Sequence, residues 1–238
     1  MYLWIVATLV AFYIKGLCGF ANTLVFTSIL SFGADNVNIS PIELVLGYPT
    51  NLILTWKNKS KLKAAIVLPL SLLVLLGSIP GAFLLKNIDA TYIKIVFGIV
   101  VVLLGIDMLL REIKDIRLKG SKLLLGLIGV LSGLLCGIFG VGALLAAYVG
   151  RVTETGDEFK ANISAVFIVE NSFRIVFYSV LGIITLTEVK RALWMMPFML
   201  IGLFLGIKSA DVLDDKVIKK IVIVLLIISG VVLVASNI

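Results

Sequence analysis

The chain has 238 residues, of which 61% are hydrophobic and 15% are charged, and its mean hydropathy is +1.16. So much apolar surface could not be buried in a water-soluble fold of this length, so the composition predicts a protein with several membrane helices. The formal net charge of +7 comes largely from three short basic stretches between apolar segments, which indicates cytoplasmic loops and no nucleic-acid partner. The absence of histidine excludes histidine metal sites and imidazole chemistry, and we expect no metal and no cofactor.

Hydropathy divides the chain into eight apolar segments. In chain order they are Tyr2–Phe32, Pro41–Trp56, Leu62–Leu85, Tyr92–Leu110, Leu123–Val149, Asn162–Ile184, Ala192–Ile207 and Val217–Ser236. Most have a length close to the roughly 20 residues that one helical crossing needs. The first and fifth segments are longer, and each contains a glycine cluster near its middle.

An internal repeat accounts for the two long segments. The stretch "GSIPGAFLLKNIDATYIKIV" from Gly77 matches "GLFLGIKSADVLDDKVIKKIV" from Gly202 with a shift of 125 residues. The sequence therefore predicts an all-α integral membrane protein with eight segments, arranged as two four-segment repeats over about 1–118 and 119–238. We expect the first and fifth segments to be broken at their glycines, and the two halves to form one integrated domain over 1–238.

The basic stretches predict the orientation. Eight crossings place Lys57–Lys63, Arg111–Lys122 and Thr185–Arg191 on the same side as both termini. This predicts a multi-pass protein of the cytoplasmic membrane with cytoplasmic termini. If each long segment is instead a re-entrant hairpin, each half has an odd number of crossings and the halves are inverted. The sequence leaves both arrangements open.

The two glycine clusters are "KGLCGFANTLVF", from Lys15, and "GLLCGIFGVGALLAAYVG", from Gly133. One interpretation is a face for close helix packing, since Gly133 and Gly137 have GxxxG spacing. We favour a break at membrane depth, where free backbone N–H groups attract an anion and missing side chains allow its close approach. Transporters place such breaks at corresponding positions of two halves, with the substrate between them. The candidate substrate-binding residues from the two clusters are Gly19, Asn22, Thr23, Gly137, Gly140 and Gly142.

Ionisable side chains at membrane depth are costly and indicate functional sites. Arg174 lies in the middle of the sixth segment, with Glu170 one helical turn earlier. Arg174 either binds an oxyanion or forms a structural ion pair with Glu170, which is also our candidate for coupling transport to a proton. Asn171 and Ser172 correspond approximately to Thr50 and Asn51 of the first half. We therefore add Asn51, Asn171, Ser172 and Arg174 to the substrate-binding candidates, with helix–helix hydrogen bonding as the alternative for the polar pairs.

Three residues beside the glycine clusters receive structural interpretations. We expect Lys15 to extend to the membrane interface, and Cys18 and Cys136 to be buried apolar residues, with contact to the substrate as the alternative in each case. With a shift of 118 residues the cysteines align, whereas with a shift of 121 Gly19 aligns with Gly140, and the sequence leaves this choice open.

The stretch "DVLDD" contains Asp211, Asp214 and Asp215. Paired carboxylates could hold a metal in a membrane enzyme, but we expect a solvated loop because lysines flank the motif. The chain contains no P-loop motif, so ATP is not expected to be the direct energy source.

The duplicated plan, with "GLLCGIFGVGALLAAYVG" in the second half and "GSIPGAFLLKNIDATYIK" late in the first, resembles the TauE/SafE sulfite exporter family over nearly the whole chain. The resemblance implies a secondary transporter for sulfite, an organosulfonate or another sulfur-containing anion. The expected partners are this small anion and the lipid bilayer. An anion channel remains the alternative, followed by a membrane enzyme that uses the DVLDD carboxylates. The oligomeric state is open, with a homodimer as one candidate.

Overall fold

The computed structural model describes residues 2–30, 36–87, 90–114, 122–140 and 142–235. These residues form ten α-helices and one 3-10 turn at Lys59–Lys61, and the described ranges contain no β-strand. The helices are α1 Tyr2–Cys18, α2 Asn22–Leu30, α3 Asn36–Lys57, α4 Ala64–Asn87, α5 Ala90–Lys114, α6 Lys122–Phe139, α7 Ala143–Val152, α8 Gly156–Val180, α9 Leu186–Ala210 and α10 Asp215–Ala235.

Local signals explain why α8 begins six residues before the predicted segment. The Thr155 hydroxyl accepts a hydrogen bond from the Glu158 backbone N–H, which satisfies one of the free donors at the helix start. At its other end, α8 stops before Gly182, whose φ of +70° does not continue a helix. The capping box of Thr185 and Glu188 then starts α9.

Helices α4 and α6 run parallel and touch through their backbones. A Cβ atom added at Gly77 would lie 2.0 Å from the Val130 carbonyl oxygen, and one at Gly81 would lie 2.4 Å from the Leu134 carbonyl oxygen. Both contact positions advance by four residues together, so the helices have the same direction. Glycine is needed here because any side chain would separate the two backbones.

The same contact recurs between α1 and α9. A Cβ atom at Gly202 would lie 2.5 Å from the Leu9 carbonyl oxygen, and one at Gly206 would lie 2.1 Å from that of Tyr13. Each pair therefore joins the first helix of one half to a late helix of the other half. These two helix contacts, α4 with α6 and α1 with α9, pack the two halves together.

Helices α3 and α8, which occupy corresponding places in the two halves, run antiparallel. The Ser40 hydroxyl lies 3.4 Å from that of Tyr178, whereas the Ser172 hydroxyl lies 3.1 Å from that of Tyr48. Residue numbers thus rise along α3 as they fall along α8. Helices α5 and α10 also touch through glycines, since Gly98 faces Gly230–Val234 and Gly230 faces Gly98–Val102.

The short helices α2 and α7 fold back beside their neighbours. The ring of Phe26 in α2 contacts both Trp4 and Phe12 of α1, with ring centroids 5.9 and 6.5 Å apart, so α2 returns along α1. The break before α7 lies next to Arg174, late in α8, and α7 reaches Phe159, early in α8, by Gly150. Each half therefore begins with a helix and a shorter helix that turns back.

Two ion pairs define one end of the molecule, which we call the Lys57 end. Lys57 Nζ lies 3.4 Å from Asp211 Oδ1, and Lys63 Nζ lies 2.7 Å from Glu158 Oε1. The first pair joins the ends of α3 and α9, and the second joins the start of α4 to the start of α8. The opposite end, which holds the start of α1, is the Tyr2 end.

The positions of the basic stretches differ from the prediction. Lys190 and Arg191 are at the start of α9, whereas Asp211 at the other end of α9 pairs with Lys57. The basic stretches at Lys57–Lys63 and Thr185–Arg191 therefore lie at opposite ends, and the prediction that they share one side is wrong. The prediction failed because it counted α1 with α2, and α6 with α7, as single crossings. Part of the third stretch, residues 115–121, lies outside the described residues.

The distribution of polar and apolar side chains indicates a membrane protein. Of the described helices, α4 over Ala64–Leu84, α8 and α9 are long and apolar enough to cross a membrane. On α4, Leu68, Leu72 and Leu76 form an outward stripe with 63%, 65% and 63% of their surfaces exposed. In contrast, charged side chains such as Glu170 and Arg174 are buried inside the protein. A lipid environment favours apolar side chains outside and charged side chains inside.

Candidate functional site

The two glycine breaks have the same backbone geometry. Gly19 and Gly140 have φ of +84° and +71°, a conformation that side chains disfavour. Each N–H donates a 2.7 Å hydrogen bond to the carbonyl oxygen four residues earlier, on Lys15 and Cys136 respectively. Gly19 therefore corresponds to Gly140, which decides the alignment in favour of the shift of 121 residues.

Arg174 on α8 contacts the second break directly. Its Nη1 donates to the Cys136 carbonyl oxygen, at the last turn of α6. A Cβ atom at Gly140 would lie 2.7 Å from Nη1 and 2.9 Å from Nη2, so a side chain there would displace the guanidinium group. The glycine thus allows both the backbone turn and the close approach of a buried cation.

Two carboxylates flank Arg174. Nη2 lies 3.6 Å from Glu43 Oε2, and Nε lies 3.7 Å from Glu170 Oε1. Both distances exceed that of a normal hydrogen bond, so the pairs are ionic contacts only. Among the described residues, Arg174 Nε has no hydrogen-bond partner. The arginine therefore lies between two carboxylates and keeps a free donor, Nε, on the side of Glu170.

Glu43 is a site residue that the sequence analysis missed. It is 3% exposed and accepts a hydrogen bond from Asn22 Nδ2 at the start of α2, with the Thr23 side chain also within hydrogen-bonding reach. The available signal was a carboxylate in an apolar segment. It was overlooked because the predicted segment began at Pro41, which placed Glu43 at the membrane edge, whereas α3 begins at Asn36.

Lys15 also differs from its prediction. It does not extend to the membrane interface but is 2% exposed, with its Nζ 5.9 Å from the centroid of the Phe167 ring. The last turn of α1 carries it inward, and the neighbouring Gly16 packs against α9. A second cation is therefore buried near Arg174.

These side chains surround one small cavity between the two breaks. It offers about 20 Å³ of space to the centre of a water molecule, which is room for about one water. The predicted site residues that line it are Asn22, Thr23, Asn51, Gly140, Gly142, Asn171 and Arg174. The lining residues that were not predicted to bind substrate are Lys15, Phe20, Ala21, Leu24, Glu43 and Phe167.

Four predicted site residues lie outside this lining. Gly19 packs against the Lys160 side chain, and Gly137 packs against α4 while its carbonyl oxygen accepts from the Tyr178 hydroxyl at 2.7 Å. The Ser172 hydroxyl donates to the Ile168 carbonyl oxygen of its own helix. Glu170, the coupling candidate, lies behind Arg174, where its Oε1 is 3.5 Å from the Ser78 hydroxyl.

The charges at the cavity are balanced. Lys15 and Arg174 carry two formal positive charges, and Glu43 and Glu170 carry two negative charges. All four side chains are buried, so an added charge would meet little screening from solvent. In the described part of the chain, Asn51 Oδ1 is a buried lining atom without a hydrogen-bond partner.

The remaining candidates have structural surroundings. Cys18 and Cys136 are buried, as predicted. Asp211 pairs with Lys57, and Asp214 accepts from the Lys216 backbone N–H at 2.9 Å at the start of α10. The described residues contain no group of three His, Cys, Asp or Glu side chains that could hold a metal ion.

Comparison with protein families now gives the assignment. A model of the family described as sulfite exporter TauE/SafE matches residues 3–233. The chain belongs to this family. The sequence resemblance to TauE/SafE proteins is thus confirmed, and membership of this transporter family agrees with the apolar helices in indicating a membrane protein. Searches of curated proteins and of solved structures gave no match.

Proposed function

We propose that this TauE/SafE protein is a secondary transporter that moves a small oxyanion, sulfite or an organosulfonate, across the cytoplasmic membrane. The observation that carries the proposal is the cavity between the two helix breaks, into which Lys15 and Arg174 both project. Two buried cations beside two helix breaks are typical of an anion site at membrane depth.

Arg174 is the principal anion ligand in this proposal. Its planar guanidinium fork matches the geometry of an oxyanion, and its Nη2 lies beside Glu43 at the cavity. Asn22, Asn51 and Asn171 add amide groups around the cavity. Lys15 faces the same space from α1 and supplies a second positive charge. An entering oxyanion competes with the Glu43 carboxylate for Arg174, because Glu43 already contacts Nη2.

The helix directions support transport by alternating access. The eight sequence segments correspond to two inverted halves in one domain, each opened by a folded-back pair, α1–α2 or α6–α7. A cavity with room for about one water is too small for sulfite, so binding requires the surrounding helices to separate. Relative movement of the two halves would open the cavity to one side at a time.

The orientation follows from the charged ends. By position along the helices, the Lys57 end carries Lys57, Lys59, Lys61, Lys63, Lys208 and Lys216, whereas the Tyr2 end carries Lys86, Lys94, Lys190 and Arg191. The positive-inside rule therefore puts the Lys57 end in the cytoplasm and both termini outside. A single reporter cysteine at Lys59 should be protected from an impermeant maleimide in intact cells, whereas one at Thr187 should react. The reverse labelling pattern would restore cytoplasmic termini.

An anion that crosses without a coupled ion is driven outward by the membrane potential, since it leaves a negative interior, whereas transport coupled to a proton depends on the pH difference as well. The test of function is sulfite counterflow into proteoliposomes that contain the purified protein, with sulfate, thiosulfate and taurine as competitors. The proposal predicts saturable counterflow that at least one competitor inhibits. Flux that does not saturate and shows no exchange would indicate an anion channel. Absence of flux above empty liposomes, with the protein folded, would remove sulfite as the substrate.

A further inference from the structure

The carboxylate of Glu43 occupies the place beside Arg174 that an oxyanion would take. We infer that Glu43 is the coupling residue, which takes up a proton as the anion displaces it from Arg174, so that one proton travels with each monovalent anion. This inference rests on the proposed transport function. It assigns coupling to Glu43 and not to Glu170, which was the candidate from sequence.

The two carboxylates beside Arg174 are placed differently. Glu43 lines the cavity and contacts Arg174 Nη2, whereas Glu170 lies outside the lining and contacts Nε from behind. A substrate and a proton that reach the cavity therefore meet Glu43 first. Glu170 remains beside Arg174 and keeps that cation partly compensated throughout.

The buried charges around the cavity sum to zero, and this favours entry of a proton together with the anion. With Lys15 and Arg174 opposed by Glu43 and Glu170, the buried set is neutral. A monovalent anion alone would leave a net negative charge in a poorly screened interior, which is costly. A proton on Glu43 restores neutrality when it arrives with the anion. On the other side of the membrane the anion leaves, the proton leaves, and Glu43 pairs with Arg174 again.

The surroundings of Glu43 suit both the ionised and the protonated carboxyl group. Asn22 Nδ2 donates to Oε1, a contact that either the carboxylate or the carbonyl oxygen of the neutral acid can accept. Gly47 lies close by, where a Cβ atom would be 3.1 Å from Oε1. The titratable or charged groups that act on Glu43 from the helices around it are Lys15 on α1, Cys136 on α6, and Glu170, Arg174 and Tyr178 on α8.

The experiment uses ethanesulfonate, a probe whose charge does not change with pH in the working range. If ethanesulfonate is not exchanged, labelled sulfite is used in the same assays at a pH low enough that it is almost entirely monovalent bisulfite. Proteoliposomes are clamped at a chosen voltage with potassium and valinomycin, and a pH difference is imposed separately. Wild-type protein should accumulate the probe on the acceptor side by about tenfold per pH unit of inward proton gradient. Accumulation should not respond to voltage, because one proton and one anion move together without net charge.

Three variants locate the coupling residue. Glu43→Gln, which cannot exchange a proton, should retain anion counterflow but lose accumulation driven by the pH difference. Glu43→Asp keeps a titratable carboxyl group and should retain this accumulation. Glu170→Gln tests the other carboxylate beside Arg174, and it should keep a response to the pH difference because Glu43 still exchanges the proton. Glu158→Gln, which changes a carboxylate at the Lys57 end outside the cavity lining, is the control and should behave as the wild type.

The outcomes separate the two proposals. Counterflow in the wild type with flux that follows voltage and ignores pH would overturn the coupling and leave transport intact. Accumulation driven by pH in Glu43→Gln, or its loss only in Glu170→Gln, would overturn the assignment to Glu43. If Glu43→Gln does not fold, the wild-type voltage test still tests the coupling, and Glu43→Asp still tests the assignment to Glu43. Absence of counterflow for both probes would overturn the proposed function and the inference with it.

Discussion

The two glycine breaks share a backbone path but differ in the side chains around them. Gly19 and Gly140 have the same left-handed conformation and the same hydrogen bond to the preceding turn. After the first break the chain continues with Asn22 and Thr23, which line the cavity. After the second break it continues with Ala143 and Leu144, and the polar group at that break is Arg174 from α8.

The buried cations also differ between the two halves. With the shift of 121 residues, Lys15 corresponds to Cys136 and Arg174 corresponds to Ile53. Each half therefore contributes one cation, but from different helices. The two breaks thus give the cavity a similar backbone on both sides, whereas the charged side chains that line it differ between the two halves. Under the proposed function, this asymmetry predicts one anion site and not two equivalent sites.

The largest effect is expected from Arg174→Ala. The substitution leaves Glu43 and Glu170 buried without their shared cation, which should cost about 3–5 kcal/mol of stability. Thermal unfolding of the purified protein measures the loss as a lower Tm, and adding Glu170→Ala should restore part of it. Lys160→Ala, at the first break, is the control and should change stability by at most about 1 kcal/mol. A normal Tm for Arg174→Ala would contradict the ion-pair geometry.

The next effect compares the left-handed glycines. Gly140→Ala should reduce sulfite exchange at least about tenfold, because the methyl group would displace the Arg174 guanidinium. Gly19→Ala carries a similar backbone strain of about 1–2 kcal/mol, but its methyl group meets the Lys160 side chain, which can move. Exchange rates in proteoliposomes should therefore fall much further for Gly140→Ala. Equal losses would mean that backbone strain alone determines the effect.

The smallest effect concerns the third residue of each break, Ala21 and Gly142. Gly142→Ala would place a methyl group 2.3 Å from Phe167 Cζ, and this overpacking should cost about 1–3 kcal/mol. Ala21→Gly removes a Cβ atom from a residue with φ of +68°, and strain relief should roughly offset added chain entropy, within about 1 kcal/mol. Thermal unfolding of both variants checks the difference. A larger loss for Ala21→Gly would show that its methyl group is needed for packing.

Sequence patterns predicted much of the fold because apolar length and glycine spacing are local features. Apart from the fold-back helices, each apolar segment corresponds to one described helix, although α3 and α8 begin five and six residues earlier than predicted. Helix direction is not local. It became visible only through contacts such as that between Phe26 and Trp4, which show α2 returning along α1.

The candidate site was predicted in part for the same reason. Asn22, Asn51 and Arg174 are polar residues inside apolar segments, and they line the cavity as a simple search for such residues suggests. Lys15 lies beside the first glycine cluster and Glu43 lies near the start of its predicted segment, so the sequence allowed both side chains to be exposed to solvent. Their burial depends on how α1 and α3 pack. Only the three-dimensional arrangement brings these opposite charges to one cavity.

The most direct test of the central claim is the half-saturating sulfite concentration for counterflow in Lys15→Gln, with Lys160→Gln as the matched control. Lys15 lines the cavity, whereas Lys160 packs on Gly19 outside it. An anion held between Lys15 and Arg174 should lose one charged contact, which raises the half-saturating concentration about tenfold for Lys15→Gln and leaves Lys160→Gln near wild type. Unchanged half-saturation in Lys15→Gln, with the protein folded and active, would contradict an anion site between the two breaks.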